Sequence, residues 1–301
     1  MDQSIGNFFI GIATLVVEYS AVRQNVGSKT IYSPIQGGLI KMKVTDKVVV
    51  VTGGASGIGR AFCRRFAQEG AKGVTVADIN ENGAMAVADE IKGLALKCDV
   101  SKEDDIINVV KRTEEKYGPV DLFCSNAGIS VRGGLELSNE IWQKMWEVHV
   151  MAHVYAARAV IPRMIERGGG YLLSVASAAG LLNTTGSSSY AATKHAAVGL
   201  AENIAIMYGD QGIKVSVVCP QAVRTGMTRE EVSVAALDGR LEPVTVADLV
   251  IEALAEERFL ILTHPEIKAY LERKTSDYDR WLAGMRRLRS RHLKGEPLKS
   301  K

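Results

Sequence analysis

The stretch Lys47-Val48-Val49-Val50-Val51-Thr52-Gly53-Gly54-Ala55-Ser56-Gly57-Ile58-Gly59 decides the fold. Through Thr52 it is a β-branched run without polar alternation, the pattern of a strand covered on both faces. A glycine-rich turn follows and runs straight into a helical pattern over residues 58–68. Glycines at 53, 57 and 59 permit a tight turn, close approach of backbone to a pyrophosphate, and tight packing of helix on strand. The helix amino end offers free N–H groups and a dipole that favours an anion. A glycine turn alone is a weak signal; the strand–turn–helix setting strengthens it.

Outward from this unit the pattern repeats. Residues 73–77, 94–98, 120–124, 170–175, 213–219 and 258–262 read as further strands, with helical stretches such as 102–117 and 191–208 between them. Gly118-Pro119 and Gly168-Gly169-Gly170 stand where helices should end. Such alternation predicts a doubly wound parallel sheet in one α/β domain over residues 46–263. Beyond it, residues 264–301 are expected to form an added C-terminal amphipathic helix and a basic tail. Ile267, Tyr270, Leu271, Tyr278, Trp281, Leu282, Met285 and Leu288 recur there at three- and four-residue intervals. That stripe is expected to pack on its own domain, with a subunit interface as the alternative.

The composition sets limits. Hydrophobic residues at 47% and charged residues at 24% suit a globular domain rather than a disordered chain. A net charge of +3 gives no reason to expect nucleic acid as a partner. From Arg286 to Lys301 seven basic residues meet one acid, Glu296, and a solvated terminus is the ordinary reading. Cys63, Cys98, Cys124 and Cys219 are widely spaced, without a disulfide framework or metal-ligand spacing. No metal is expected, and a reducing cytoplasm fits. The apolar run 8–17 is too short to span a bilayer, and Asp2 precedes it without any Lys or Arg, against an export signal. Residues 1–45 are read as a poorly ordered N-terminal extension.

Two further signals concern chemistry. The second strand leads into Asp78, nineteen residues after Gly59. A carboxylate there can accept hydrogen bonds from an adenosine ribose and repel a 2′-phosphate, which favours NAD over NADP. Tyr190 and Lys194 stand at i and i+4, on one helix face. A nearby ammonium lowers the phenol from its ordinary value near 10, so that it can exchange a proton with a substrate oxygen. Tyr and Lys so spaced recur by chance, so the pair decides nothing alone. Ser177, thirteen residues upstream and just past a strand, has a hydroxyl that could hold the same oxygen. Ser174 lies within that strand and reads as structural.

Together these motifs resemble the short-chain dehydrogenase/reductase family over roughly residues 46–263. The resemblance rests on Thr52–Gly59, on Asp99-Val100 after the third strand, on Asn126-Ala127-Gly128 after the fourth, and on Ser177 with Tyr190 and Lys194. It implies a Rossmann-type fold and hydride transfer between NAD(H) and a CH–OH or C=O group. Tyr190 would be the general acid/base, Ser177 the substrate-oxygen anchor, and Lys194 the residue that binds the nicotinamide ribose. Gly53, Ser56, Gly57, Ile58, Gly59, Asp78, Ile79, Asp99, Val100, Asn126, Ala127, Gly128, Val223 and Thr225 would line the cofactor. The resemblance also implies a homodimer or homotetramer, built on helices around 138–166 and 189–210.

Two departures stand out. His149 occupies the usual place of an Asn, and Gln221 follows Pro220 where a Gly is usual. They motivate one rival reading, a catalytically impaired NAD(H)-sensing protein. A membrane-associated reductase using the N-terminus or basic tail is another. Met227, Val232, Val234, Ala235, Ala236 and Leu241 lend the expected substrate loop an apolar character, as do Leu181 and Leu182 after the Ser. They point to a hydrophobic alcohol or ketone rather than an acidic or phosphorylated one.

Overall fold

The structure, a computed structural model, describes residues 42–227 and 234–295. The expectations for residues 1–41, for Val232 and for the tail after residue 295 fall outside that range. Within it, seven strands form one parallel sheet in the order β3-β2-β1-β4-β5-β6-β7. They are β1 Val48–Thr52, β2 Gly73–Asp78, β3 Leu94–Lys97, β4 Leu122–Ser125, β5 Gly170–Val175, β6 Ile213–Cys219 and β7 Leu260–Leu262. Each strand read from the sequence is present, with ends displaced by no more than two residues.

The two-faced burial of β1 follows from its side-chain alternation. Val49 and Val51 pack against Phe62 and Phe66 of α1 (Gly57–Gln68), Val87 of α2 (Glu81–Ile91) and Val250 of α8 (Pro243–Glu256). Val48 and Val50 join the opposite core. It includes Ile106 and Val109 of α3 (Glu103–Tyr117), Val160 of α5 (Ala152–Glu166) and Ala201 of α7 (Ser188–Tyr208). All four valines are buried, each contributing roughly 1.5–3 kcal/mol. This is the doubly wound Rossmann-type arrangement. Because β1 pairs β2 on one side and β4 on the other, the strand order reverses beside β1, where a crevice opens at the strand carboxyl ends.

Two helical regions differ from the sequence reading. Helix α7 begins three residues early, because Ser187 caps it by accepting the Tyr190 N–H at 3.3 Å. Tyr190 therefore lies in the first turn. The expected single terminal helix is two: α9 (Glu266–Ser276) and α10 (Tyr278–Leu293). They break at Asp277, which is extended at φ −157° and caps α10 by accepting the Arg280 N–H at 2.9 Å. The break divides the apolar stripe. Ile267, Tyr270, Leu271 and Trp281 pack against Leu181 and Leu182 of α6 (Ala179–Leu182), whereas Tyr278 and Leu282 stay more than half exposed. Among the described residues no helix is long and apolar enough to cross a membrane.

Phe66, fully buried between α1 and the sheet, makes a tilted ring contact with Phe62 at 5.7 Å. Phe66→Ala is expected to lower unfolding free energy by about 3–5 kcal/mol, measurable as a reduced urea midpoint.

Candidate active site

The turn after β1 is locked to the end of β4. Thr52 Oγ1 accepts the Asn126 and Ala127 N–H groups at 3.0 and 3.2 Å and donates to the Cys124 carbonyl at 3.3 Å. Asn126 Nδ2 donates to the Thr52 carbonyl at 2.9 Å and the Gly53 carbonyl at 3.3 Å. Gly53 has φ +65°, and a Cβ there would stand 2.8 Å from Ala127 Cα. At Gly59 a Cβ would come within 2.1 Å of the Gly53 carbonyl oxygen. Neither position tolerates a side chain.

Around this turn gather the residues expected at a cofactor. Exposed Ser56 is the N-cap of α1 without using its side chain to cap, and no acidic residue occupies the first helical turn. An anion can approach those amides unopposed. Gly57, at φ +53°, faces the Thr225 methyl group. Asp78 accepts the Ala55 N–H at 3.0 Å and the Asn80 N–H at 2.9 Å, so its carboxylate sits against the glycine turn. Ile79 beside it is 63% exposed. Partial burial alone would raise the Asp99 carboxyl, but the Ser101 hydroxyl and amide, with Lys144 and Lys102, hold it below its ordinary range. The Ile58, Val100 and Val223 side chains join the core, which leaves their backbone to meet a ligand. This cradle, with glycines at its closest approaches, fits a dinucleotide.

Ser177, two residues beyond β5, and Tyr190 both line one cavity of about 1310 Å³. Ser177 Oγ accepts the Ala179 N–H at 3.1 Å and donates to the Pro220 carbonyl at 3.4 Å. Lys194, buried one helical turn after Tyr190, donates to the Val175 carbonyl at 3.0 Å and lies 5.7 Å from the phenol ring centre. Burial pushes the Lys194 ammonium down to about 8. It also pushes the Tyr190 phenol above its ordinary value, against a hydrogen bond with Ser177 that lowers it. The lowered phenol expected from the Tyr–Lys spacing is thus reversed in the chain alone. The Lys194 ammonium is directed to the Val175 carbonyl, and desolvation of the phenol outweighs its hydrogen bond with Ser177.

His149 sits in a π-helical segment, Glu147–Met151, that joins α4 (Asn139–Trp146) to α5. Its Nε2 accepts the Ile129 N–H at 3.1 Å, so the ring proton is on Nδ1, which meets Thr193 Oγ1 at 2.9 Å. The ring abuts Tyr190 edge-on at 5.4 Å. Burial, and then the Lys194 charge, push its pKa down to about 2. His153, buried against Ser174 at 3.2 Å, is pushed down to about 3 for the same reasons. Neither imidazole is a cation at physiological pH.

Gln221 has an ordinary negative φ and uses its side chain across the substrate side. Its Nε2 donates to Asp238 at 2.9 Å, and the Tyr270 hydroxyl donates to the same carboxylate at 3.0 Å. The loop after β6 is thereby tied to α9. Met227, Val234, Ala235, Ala236 and Leu182 line the cavity as the apolar reading expects. Leu181 instead packs in the core, and Leu241 forms a β-bridge with Val223. Sequence reasoning missed the roof: α10 lines this cavity with Trp281, Met285, Leu288 and several arginines.

A glycine turn at a sheet reversal, with a phenol, an ammonium and a serine hydroxyl beyond it, defines a nucleotide-dependent oxidoreductase. The family model for short chain dehydrogenases matches residues 47–235, and the chain belongs to that family. It is 35% identical to the 3beta-hydroxysteroid dehydrogenase 2 of Eggerthella lenta over 192 residues, covering 61% of this chain and 74% of that protein. It is 33% identical to the cyclohexanol dehydrogenase of an Acinetobacter species over 231 residues, covering 73% and 92%. A short chain dehydrogenase/reductase from Burkholderia phymatum in complex with NAD has a similar structure. The TM-score is 0.74 at 30% identity, with 79% of this chain and 96% of that one covered.

The depressed imidazoles carry a stability prediction. The unfolded chain binds protons at His149 and His153 below about 6.5, and the native chain does not. Stability is therefore full above that pH and falls as the solution is acidified, by up to about 1.4 kcal/mol per pH unit for each histidine. His149→Asn is expected to flatten the slope of unfolding free energy between pH 4 and 6.5 by that amount, read from urea titrations at each pH.

Proposed function

We propose that the protein moves a hydride between NAD(H), in preference to NADP(H), and the CH–OH or C=O group of a largely apolar alcohol or ketone. The observation that carries this reading is the convergence of Ser177 and Tyr190 on one cavity wall, with Lys194 buried behind them. A bound nicotinamide cofactor supplies the hydride acceptor or donor.

The chain's own groups do the rest. Ser177 holds the substrate oxygen, and the Tyr190 hydroxyl takes the alcohol proton in oxidation or returns it in reduction. Lys194 orients the cofactor ribose and contributes positive charge beneath the phenol. His149 stays neutral and packs the edge of the phenol, so it holds Tyr190 in place without competing for the proton. Gly53, Ser56, Gly57, Ile58 and Gly59 meet the pyrophosphate, with Thr225 across from Gly57. Asp78 and Ile79 take the adenosine ribose and its surroundings. Asp99 and Val100 lie towards the adenine, and Asn126, Ala127, Gly128 and Val223 support the nicotinamide half. NAD preference follows from the Asp78 carboxylate beside the turn, which would repel a 2′-phosphate.

Tyr190→Phe is expected to lower kcat by roughly 10²–10⁴ on any alcohol turned over by the wild type. NADH binding, followed by cofactor fluorescence, stays nearly intact. Wild-type turnover in this variant would refute the assignment. Asp78→Ala is expected to shift the NAD/NADP ratio of kcat/KM towards NADP by about tenfold or more, the scale of one charge-assisted hydrogen bond. An unchanged ratio would remove the carboxylate from specificity.

A further inference from the structure

The roof of the substrate cavity carries a pattern that a purely apolar substrate does not require. On α10, Arg280, Arg287 and Arg291 lie at intervals of seven and four residues, which places them in one row along the helix. All three line the cavity, and Arg273 of α9 joins them. Beside this row the same face of α10 presents Trp281, Met285 and Leu288. The cavity-facing side of the helix is therefore split lengthwise into a cationic border and an apolar border.

The arginine row is not used to hold the fold together. Among the described residues, none of Arg280, Arg287 and Arg291 has a side-chain hydrogen bond or ion pair, and Arg273 lies only over the Tyr270 ring, at 5.9 Å. The one acid on the described cavity wall, Asp238, already accepts from Gln221 and Tyr270. The acids near this row, Asp277 and Asp279, do not line the cavity, and Asp277 is spent as the cap of α10. These four guanidinium groups, of the six arginines that line the cavity, share it with Ser177 and Tyr190. Arginine presents planar donors that match carboxylate and phosphate oxygens.

We propose that Arg280, Arg287 and Arg291, with Arg273, bind an anionic group, a carboxylate or a phosphate, at the end of the substrate remote from its reacting hydroxyl or ketone. The substrate is then amphipathic, with an apolar body along Trp281, Met285 and Leu288 and its charge on the arginine border. This rests on the oxidoreductase reading above and replaces the wholly apolar substrate that the loop composition suggests.

The test uses the full chain with saturating NAD and three matched medium-chain secondary alcohols: a terminal carboxylate, its methyl ester, and a terminal phosphate monoester. The carboxylate or the phosphate is expected to exceed the ester in kcat/KM by about tenfold, with the gap shrinking in high salt. Whichever anion is preferred identifies the group. In an Arg280→Gln, Arg287→Gln, Arg291→Gln variant the ratio is expected to approach one, through a rise in KM for the anion. Arg286→Gln with Arg289→Gln, on residues of α10 outside the cavity lining, is expected to keep the preference. Equal kcat/KM for anion and ester in the wild type, or a gap that survives the triple substitution, would overturn the proposal. Should no alcohol be turned over, the oxidoreductase reading fails by itself. The anion site is then judged by fluorescence of dansylated undecanoic acid, whose tighter binding than its methyl ester must vanish in the triple variant.

Discussion

A close backbone approach lies where the glycine turn after β1 meets the end of β4, and much else depends on it. Thr52 and Asn126 tie the two chain segments through five hydrogen bonds at 3.3 Å or less. Gly53 and Gly59 leave no room for a Cβ between them. Because this contact is made by backbone and two short polar side chains, it fixes the amino end of α1 relative to the sheet. The helix amides and the carboxyl ends of β1 and β4 therefore face one crevice. Only β1's place at the reversal of strand order makes that geometry available.

From the same contact the chemistry is positioned one layer away. Gly128 follows Asn126 and Ala127, and a Cβ there would meet His149 Nε2 at 3.5 Å and Lys194 Nζ at 3.8 Å. His149 in turn binds the Ile129 amide and Thr193, and Thr193 donates to the Ser189 carbonyl within the first turns of α7. The Tyr190 ring is thus held from below by an imidazole whose tautomer is set by a backbone donor. An Asn could not fill the same volume edge-on against a phenol, which gives the departure at 149 a physical sense: it is a packing choice on a neutral ring. Burial makes the ring a poor base.

What could be read from the sequence follows the range of the interactions involved. The strands were legible because each is a short, mainly apolar run, and the glycine turn because glycine is demanded by backbone geometry at Gly53 and Gly59. Helix α7 was legible in its body but not its start, since the Ser187 cap depends on the loop around Val131, 56 residues away, to which it donates. The division of the terminal helix at Asp277 could not be read from apolar spacing, because Leu271 and Tyr278 on either side of it are seven residues apart and so stay in phase. The direction of the Tyr190 shift was misread for a related reason. Spacing reports that an ammonium is near, but not that its donor points to the Val175 carbonyl or that burial weighs more.

The substrate side differs from the cofactor side in kind. The glycine turn and its neighbours are built by residues close in sequence to strand ends. The substrate cavity is closed by segments with no such anchor, and these must be tied together by side chains. Gln221 reaches Asp238, Asp238 receives Tyr270, and Lys274 of α9 reaches the Leu181 carbonyl of α6. Through these contacts the C-terminal helices become a wall of the cavity instead of a surface appendage. Glycine after Pro220 would supply no such arm, so Gln221 and the added helices are parts of one arrangement. Gln221, where the family's pattern has glycine, and the two helices after β7 thus shape one wall of the cavity, while the turn after β1 keeps the family's glycines.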